Sequence, residues 1–155
     1  MKQKALTLYE LNCMVRDLID LDMPDSYWVQ AELSQIREVN HNCYMELIQK
    51  ENSSNTPVAR ASAKCWRSTW LLLKPAFERI TRQTLHSGMQ VLLQVHAQFH
   101  ENYGFSWIVD DIDPDYTLGD MARKRLEIIH QLQEEGVLNL QKELPFSLFA
   151  QRIAV

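Results

Sequence analysis

Residues 59–66 form the most regular pattern in the sequence and read Ala59-Arg60-Ala61-Ser62-Ala63-Lys64-Cys65-Trp66. Small apolar residues alternate strictly with polar or aromatic ones, and this period of two predicts a half-buried β-strand. The small residues predict a closely packed interior face. The opposite face is basic and aromatic, so this strand separates a core from a surface that has its own chemistry.

Four other segments have the periodicity and length of strands. Together with the first, the predicted strands cover residues 28–34, 43–47, 59–66, 91–99 and 105–112. A polar loop is predicted at residues 38–42, between the first two strands. A hairpin connection is predicted at residues 101–104, where Gly104 can adopt a positive φ. The strands are therefore short and separated by polar connections.

Three helices accompany the strands. The first is predicted over residues 8–21, because a threonine and a glutamate three residues later form a capping box before an apolar stripe. The second covers residues 69–81, and Pro75 inside it predicts a kink or a restart. The third follows the last strand, with Thr117 as its N-cap and Gly136 at its end.

The order of elements along the chain is strand, strand, strand, helix, strand, strand. Closing into a barrel protects the edges of so few antiparallel strands. We therefore predict a mainly β fold with flanking helices, a five-stranded Greek-key barrel of the oligonucleotide-binding (OB) type with a helix between strands 3 and 4. The predicted organisation is an N-terminal helix at 1–24, the OB domain at 25–115, a linker helix at 116–136 and the start of a further, truncated domain at 137–155.

Composition limits the class of protein. The chain is 46% hydrophobic, which suits a folded core, and its apolar runs are far shorter than the roughly 20 residues of a membrane span. With no secretory signal at the start, a cytoplasmic protein is expected. Three widely spaced cysteines predict reduced, buried thiols. The net charge of −4 argues against strong sequence-independent binding of polyanions, although a local basic face is compatible with it.

In an OB fold, ligands cross the outer face of strands 2 and 3 and contact the loops beside it. Single-stranded nucleic acid needs cations along its phosphates and flat rings against its bases. The predicted nucleic-acid-binding residues are Tyr44, Arg60, Lys64 and Trp66 on the strands, Arg37 and His41 in the first loop, and Phe99, His100 and Tyr103 in the last loop.

Packing offers an alternative interpretation of several of these residues. Trp66 is equally consistent with packing against the helix that follows it, and Arg60 and Lys64 are also compatible with an ordinary solvated surface. For Trp28 and Trp107 we predict packing rather than binding.

Other chemistries do not fit the spacing. His96 and His100 would lie about 13 Å apart on a strand, so they cannot share a metal. The His41-x-Cys43 pair lacks the second pair of ligands that a zinc site needs. Asp110 and Asp111 are adjacent on a strand and point to opposite faces, so they do not form a catalytic dyad. We predict no catalytic residue, no metal site and no cofactor in this chain.

Beyond these patterns, the sequence resembles the exodeoxyribonuclease VII large subunit family. The similar segments are Leu6–Asn12, Trp28–Ser34, His41–Leu47, the fifth strand through Asp113-Pro114, Leu118-Gly119 with the tail helix, Leu144-Pro145, and Gln151–Val155. Three positions depart from the family pattern, and the segment around Trp70 to Ser87 is longer than in many relatives. Ala31 stands where glycine is usual, and His41-Asn42 replaces a glycine–histidine pair.

The resemblance implies a function for the barrel. This family forms an enzyme of large and small subunits that degrades single-stranded DNA to oligonucleotides, and its N-terminal barrel binds the strand. The chain would then be a non-catalytic DNA-binding part, with residues 137–155 beginning the catalytic domain and the small subunits binding further along the protein. The metal requirement of the whole enzyme does not follow from this sequence. A protein-interaction or scaffolding module of the same fold is the alternative, which the net acidity and the apolar helices favour.

Overall fold

The structure is a computed structural model that describes residues 4–136. Its elements are α1 (Leu8–Asp22), β1 (Ser26–Val39), β2 (Asn42–Lys50), β3 (Pro57–Cys65), α2 (Arg67–Thr81), β4 (Gln90–His100), β5 (Gly104–Asp113) and α3 (Pro114–Glu134). The predicted order of five strands with a helix between strands 3 and 4 is confirmed. The predicted start of a further domain, at 137–155, lies outside the described residues.

The five strands close into a barrel in the order β1-β2-β3-β5-β4. The long strand β1 pairs with β4 through its first half and with β2 through its second half, meeting both at Glu32. The barrel is closed by a short parallel contact, in which Ala63 and Lys64 of β3 lie opposite Trp107 and Ile108 of β5. Each strand therefore has a neighbour on both sides along at least part of its length, which protects the backbone hydrogen-bonding groups there.

A β-bulge at Ser34 changes which side chains of β1 face outward. Leu33 lies opposite Leu47, but the next pair is Gln35 with Glu46, so Ser34 is the extra residue. An extra residue reverses the alternation beyond it. The bulge therefore turns Gln35 and the odd-numbered residues after it to the outer surface, where uninterrupted alternation would have placed them inside.

The core fills the interior of the barrel with side chains from every strand. Its buried residues include Ala31, Leu33, Cys43, Met45, Leu47, Ala63, Cys65, Val91, Leu93, Val95, Val109 and Ile112. The predicted inner face of β3 is only half correct, because Ala63 and Cys65 are buried whereas Ala59 is exposed. The reason is that β5 pairs with β3 only at residues 63 and 64, so the first half of β3 has no strand on that side.

Helix α2 packs against the barrel through Trp70 and Phe77, which are both buried. The sequence periodicity predicts an apolar stripe on this helix that ends with Ile80, but Ile80 is exposed and Thr81 is buried instead. The helix does not restart at Pro75, because it is continuous from Arg67 to Thr81. A proline leaves the carbonyl four residues before it without its helical partner. That carbonyl belongs to Leu71, an exposed residue, and solvent can satisfy it.

Helix α1 begins with the predicted capping box. Glu10 N–H donates to Thr7 Oγ1 at 3.2 Å, and Thr7 N–H donates to the Glu10 carboxylate at 2.7 Å. The helix lies against β4, but much of its predicted apolar stripe is exposed, including Leu11 and Leu18. Its apolar side therefore contributes less to the core than its periodicity suggests.

Helix α3 starts at Pro114 rather than at a Thr117 cap. The Thr117 hydroxyl is buried and donates to the Gln90 carbonyl at 3.0 Å, so it joins this first turn to β4. Gly136, with a φ of 70°, follows the helix as predicted. By its internal contacts the chain divides between Leu118 and Gly119 into two compact units.

The three cysteines carry free thiols. Cys43 and Cys65 lie opposite one another on β2 and β3 and are buried, as predicted, whereas Cys13 on α1 is half-buried. Burial raises the pKa of each barrel thiol to about 12. Among the helices at residues 4–136, none is long and apolar enough to cross a membrane.

Candidate nucleic-acid interface

Three side chains form a row across the outer face of β1, β2 and β3. Arg37, Tyr44 and Lys64 are consecutive partners in the strand register, and their inward-facing neighbours belong to the core. The Arg37 guanidinium carbon lies 5.7 Å from the centroid of the Tyr44 ring, within the range of a cation–π contact. The row therefore places one flat ring between two cations.

A second ring lies beside this row. Tyr103 belongs to the turn between β4 and β5, is 72% exposed, and has its ring 5.9 Å from Lys64 Nζ. The His100 ring is 4.8 Å from the Tyr103 ring, centroid to centroid. The surface thus carries a cluster of rings and cations, Arg37, Tyr44, Lys64, His100 and Tyr103, which we call the stacking cluster.

Helix α1 holds the turn that carries Tyr103. Asn12 Nδ2 donates to the Glu101 carbonyl at 2.8 Å, and Arg16 forms an ion pair with the Glu101 carboxylate. The pKa of Glu101 is lowered by a backbone hydrogen bond and by the charge of Arg16. An otherwise exposed turn is therefore connected to a helix, which limits the positions that the Tyr103 ring can take.

A polar row runs next to the stacking cluster. Gln35, Glu46 and Ser62 are consecutive partners on β1, β2 and β3, one strand period from the Arg37–Tyr44–Lys64 row. The Glu46 carboxylate accepts from Ser34 Oγ at 2.8 Å. The two rows line one open groove of about 630 Å³, whose walls are Gln35, Ile36, Arg37, Tyr44, Met45, Glu46, Ser62, Ala63, Lys64 and Ser87.

Arg60 is near this groove, but its charge is already paired. Its Nη1 donates to Glu46 Oε1 at 3.0 Å, from the next position along β3 on the same face. An exposed ion pair of this kind is weak and exchangeable. Arg60 therefore offers less net positive charge to a ligand than Lys64 does.

The remaining predicted site residues lie outside the stacking cluster. Trp66 follows the end of β3 at the N-cap of α2 and is partly exposed. His41 lies in the β1–β2 turn, with Nδ1 at 3.8 Å from the Glu38 carboxylate. Phe99 is half-buried in β4, opposite Phe105 of β5.

Two of the predicted loops are shorter than expected. The β1–β2 connection consists of Asn40 and His41, whose φ angles of 51° and 64° are those of a tight two-residue hairpin turn. Arg37 is therefore a strand residue rather than a loop residue. Phe99 and His100 likewise belong to β4, so only residues 101–103 form the last turn.

Gln35 was not predicted as a groove residue, because nothing in the sequence marks the bulge at Ser34.

The other tryptophans divide between packing and exposure. Trp107 packs against the core and meets the Phe105 ring edge-on at 5.0 Å, as predicted. Trp28 was expected to pack but is 50% exposed. It lies on the outer side of β1 opposite Gln94 of β4, away from the β2–β3 face.

The polar groups of β4 and β5 form contacts with each other rather than a metal site. His96 Nδ1 lies 2.7 Å from Asp110 Oδ2, and Ser26 Oγ donates to the same oxygen at 3.1 Å. Within residues 4–136, no three His, Cys, Asp or Glu side chains are placed to hold a metal ion.

Comparison with known proteins places the chain in a family. The sequence profile of the family described as "OB-fold nucleic acid binding domain" matches residues 6–113, more than half of the chain. The chain belongs to this family. The match covers α1 and the whole barrel, and so includes both rows of the groove and the turn that carries Tyr103.

One curated relative resembles nearly the whole chain. The exodeoxyribonuclease 7 large subunit of Deinococcus radiodurans is 35% identical over 158 residues, covering 99% of this chain. This confirms the resemblance found in the sequence. This OB-fold chain spans only 38% of the length of that relative.

Solved structures with a similar fold are distant. Two crystal structures of Rim1, a mitochondrial single-stranded DNA binding protein of S. cerevisiae, match 57% of this chain and 91% of their own. Their TM-scores are 0.39 and 0.37, at 12% and 9% identity. These values are too low to add to the fold assignment.

Proposed function

We propose that this domain binds single-stranded DNA along the groove between β1, β2 and β3. The observation that carries the proposal is the Arg37–Tyr44–Lys64 row, with the Tyr103 ring beside Lys64. Unpaired bases expose flat faces that stack on such rings, and the phosphates on either side need cations. A duplex hides those faces, so the half-buried Tyr44 ring between two cations, with the exposed Tyr103 ring beside it, suits a single strand better.

The curated relative gives the proposal a context. We infer that the longer protein is an exodeoxyribonuclease acting on single-stranded DNA in the cytoplasm, in which this domain holds the strand and contributes no catalytic group. Association with a small subunit would involve other parts of that protein. In this proposal residues 25–115 form the binding domain and residues 116–136 a linker helix.

The test is equilibrium binding of a labelled oligonucleotide of roughly 12 nucleotides, within the site size of an OB fold, followed by fluorescence anisotropy at low salt. Replacing one stacking ring, as in Tyr44→Leu or Tyr103→Leu, should cost about 1–3 kcal/mol of binding free energy. Tyr9→Leu is the matched control, because Tyr9 is an exposed tyrosine on α1. Equal affinities for all four proteins, or no binding at all, would refute the proposal.

A protein-interaction module is the second candidate. The observation that favours it is the exposed apolar side of α1, formed by Leu11, Met14, Leu18 and Leu21. Light scattering with and without the oligonucleotide separates the two functions. A stable oligomer that does not bind the oligonucleotide would support the interaction module and exclude the first proposal.

A further inference from the structure

The groove has a chemical asymmetry that simple strand binding does not require. On one side of it lies the row of two cations and a ring, Arg37, Tyr44 and Lys64, and on the other lies the polar row with Glu46 at its centre. A carboxylate repels phosphate, so Glu46 does not help the groove to hold a DNA backbone. The position of Glu46 is explained if the polar row faces a part of the ligand other than its phosphates.

The spacing of the two rows fits a single stacked base. Tyr44 and Glu46 are two residues apart on β2, which separates them by about 7 Å along the strand. A base that stacks on the Tyr44 ring has its sugar and phosphates near the cations Arg37 and Lys64. Its hydrogen-bonding edge then extends toward Glu46 and its neighbours Gln35 and Ser62.

The Glu46 carboxylate is held in place and keeps unused acceptor capacity. Oε2 accepts from Ser34 Oγ at 2.8 Å, and Oε1 accepts from Arg60 Nη1 at 3.0 Å. An ionised carboxylate has about four acceptor positions, so each oxygen can accept one more hydrogen bond. The side chain is 26% exposed and lines the groove, so a ligand can reach it.

We propose that Glu46 is a specificity-determining residue that accepts hydrogen bonds from the exocyclic amino groups of bases stacked on Tyr44. Cytosine presents such an amino group, which carboxylates accept in known base contacts, whereas thymine presents a carbonyl oxygen there. The domain therefore prefers bases that carry an amino group over thymine. The inference rests on the proposed function, since it assumes that single-stranded DNA occupies this groove.

The test isolates the amino group. The 155-residue chain is titrated with two labelled oligonucleotides of roughly 12 nucleotides. One alternates cytidine with thymidine. In the other every cytosine is replaced by 2-pyrimidinone, which is the same ring without the amino group. The wild-type chain should bind the cytosine strand at least about 5-fold more tightly than the pyrimidinone strand.

Glu46→Gln tests whether this residue carries the preference. Glutamine keeps the size of the side chain and an acceptor for Ser34, but loses the charge, so the ratio of the two affinities should fall to less than about 2-fold. Affinity for the pyrimidinone strand should not fall, because that strand has no amino group to donate to Glu46. Asp20→Asn is the control for charge loss, since Asp20 is exposed on α1, which packs on β4 rather than on β2 or β3. It should leave the ratio unchanged.

The possible outcomes distinguish a failure of this inference from a failure of the proposed function. If the wild-type chain binds both strands equally well, or if Glu46→Gln keeps the wild-type ratio, Glu46 does not read the base and the inference is wrong, while strand binding stands. If neither strand binds to the wild-type chain, the proposed function itself is overturned.

Discussion

Single residues decide how much of the exposed charge reaches a ligand. Arg60 and Lys64 look equivalent in the sequence, but Arg60 is paired with Glu46, whereas Lys64 lies between the Tyr44 and Tyr103 rings. Strand alternation was sufficient to predict that both face outward. It could not show which side chains they contact. Those contacts are made across neighbouring strands, and the register of the strands depends on the whole barrel.

Lys64→Met should weaken oligonucleotide binding by about 10-fold, the effect of losing one charged hydrogen bond to phosphate. Methionine has a side chain of similar length, so the packing beside Tyr103 changes little. Lys50→Met is the control, because Lys50 is a lysine of β2 whose ammonium is 2.7 Å from the Glu32 carboxylate. Anisotropy titrations should show an affinity close to the wild-type value for this control. Equal losses of affinity in the two variants would mean that binding does not depend on where the lysine lies on the barrel surface.

The two barrel thiols, Cys43 and Cys65, should make the free energy of unfolding decrease at alkaline pH. Burial raises the pKa of Cys43 and of Cys65 from 9.0 to about 12, so the folded state holds their protons more tightly than the unfolded state. The stabilisation they provide is complete below pH 9.0 and is lost as the pH rises toward 12. Urea unfolding at about pH 8 and about pH 10.5 should show this loss in the wild-type chain.

A double variant identifies the thiols as the cause. Cys43→Ala/Cys65→Ala should lose less stability between the two pH values than the wild type, because its unfolded state has no such protons to release. Cys13→Ala should behave like the wild type, since Cys13 is the half-buried thiol of α1. Identical losses in the three proteins would attribute the alkaline effect to other groups.

At the level of elements, periodicity was sufficient to predict which strands and helices exist. Local backbone geometry determines where each of them begins and ends. Within residues 4–136, all five strands and all three helices were predicted, because each has a clear period of two or of about 3.6 residues. The bulge at Ser34 and the two-residue turn at Asn40 and His41 were not predicted. Neither contains a glycine, the usual signal for such backbone, and both depend on how β1 must bend to pair with two neighbours.

Helix α2 should be a major source of barrel stability. Phe77 is 1% exposed and belongs to the core cluster, so Phe77→Ala should lower the free energy of unfolding by about 3–5 kcal/mol. Leu72→Ala on the same helix is the control and should change it by less than about 0.5 kcal/mol, because Leu72 is 74% exposed. Urea denaturation measures both. A small effect of Phe77→Ala would mean that the barrel does not depend on this helix.

On the scale of the whole molecule, the net charge of −4 opposes the binding of the proposed ligand, since DNA is itself an anion. Screening resolves much of this conflict, because charges more than about 8–10 Å from the strand have little effect in salt. What counts is the charge along the groove, where Arg37 and Lys64 are the cations proposed to contact the phosphates and the charge of Arg60 is paired with that of Glu46. The net charge follows from composition alone, whereas its distribution over the surface depends on the fold.

The salt dependence of binding measures that distribution directly. Each phosphate neutralised on a single strand contributes about −0.7 to the slope of log K against log salt concentration. Two cations, Arg37 and Lys64, therefore predict a slope of about −1.4, and Lys64→Met should reduce it to about −0.7. A slope near −3 would require about four phosphate contacts, which the cations of this groove do not supply. In that case the strand would have to follow a different path over the barrel, and the Arg37–Tyr44–Lys64 row would not be its centre.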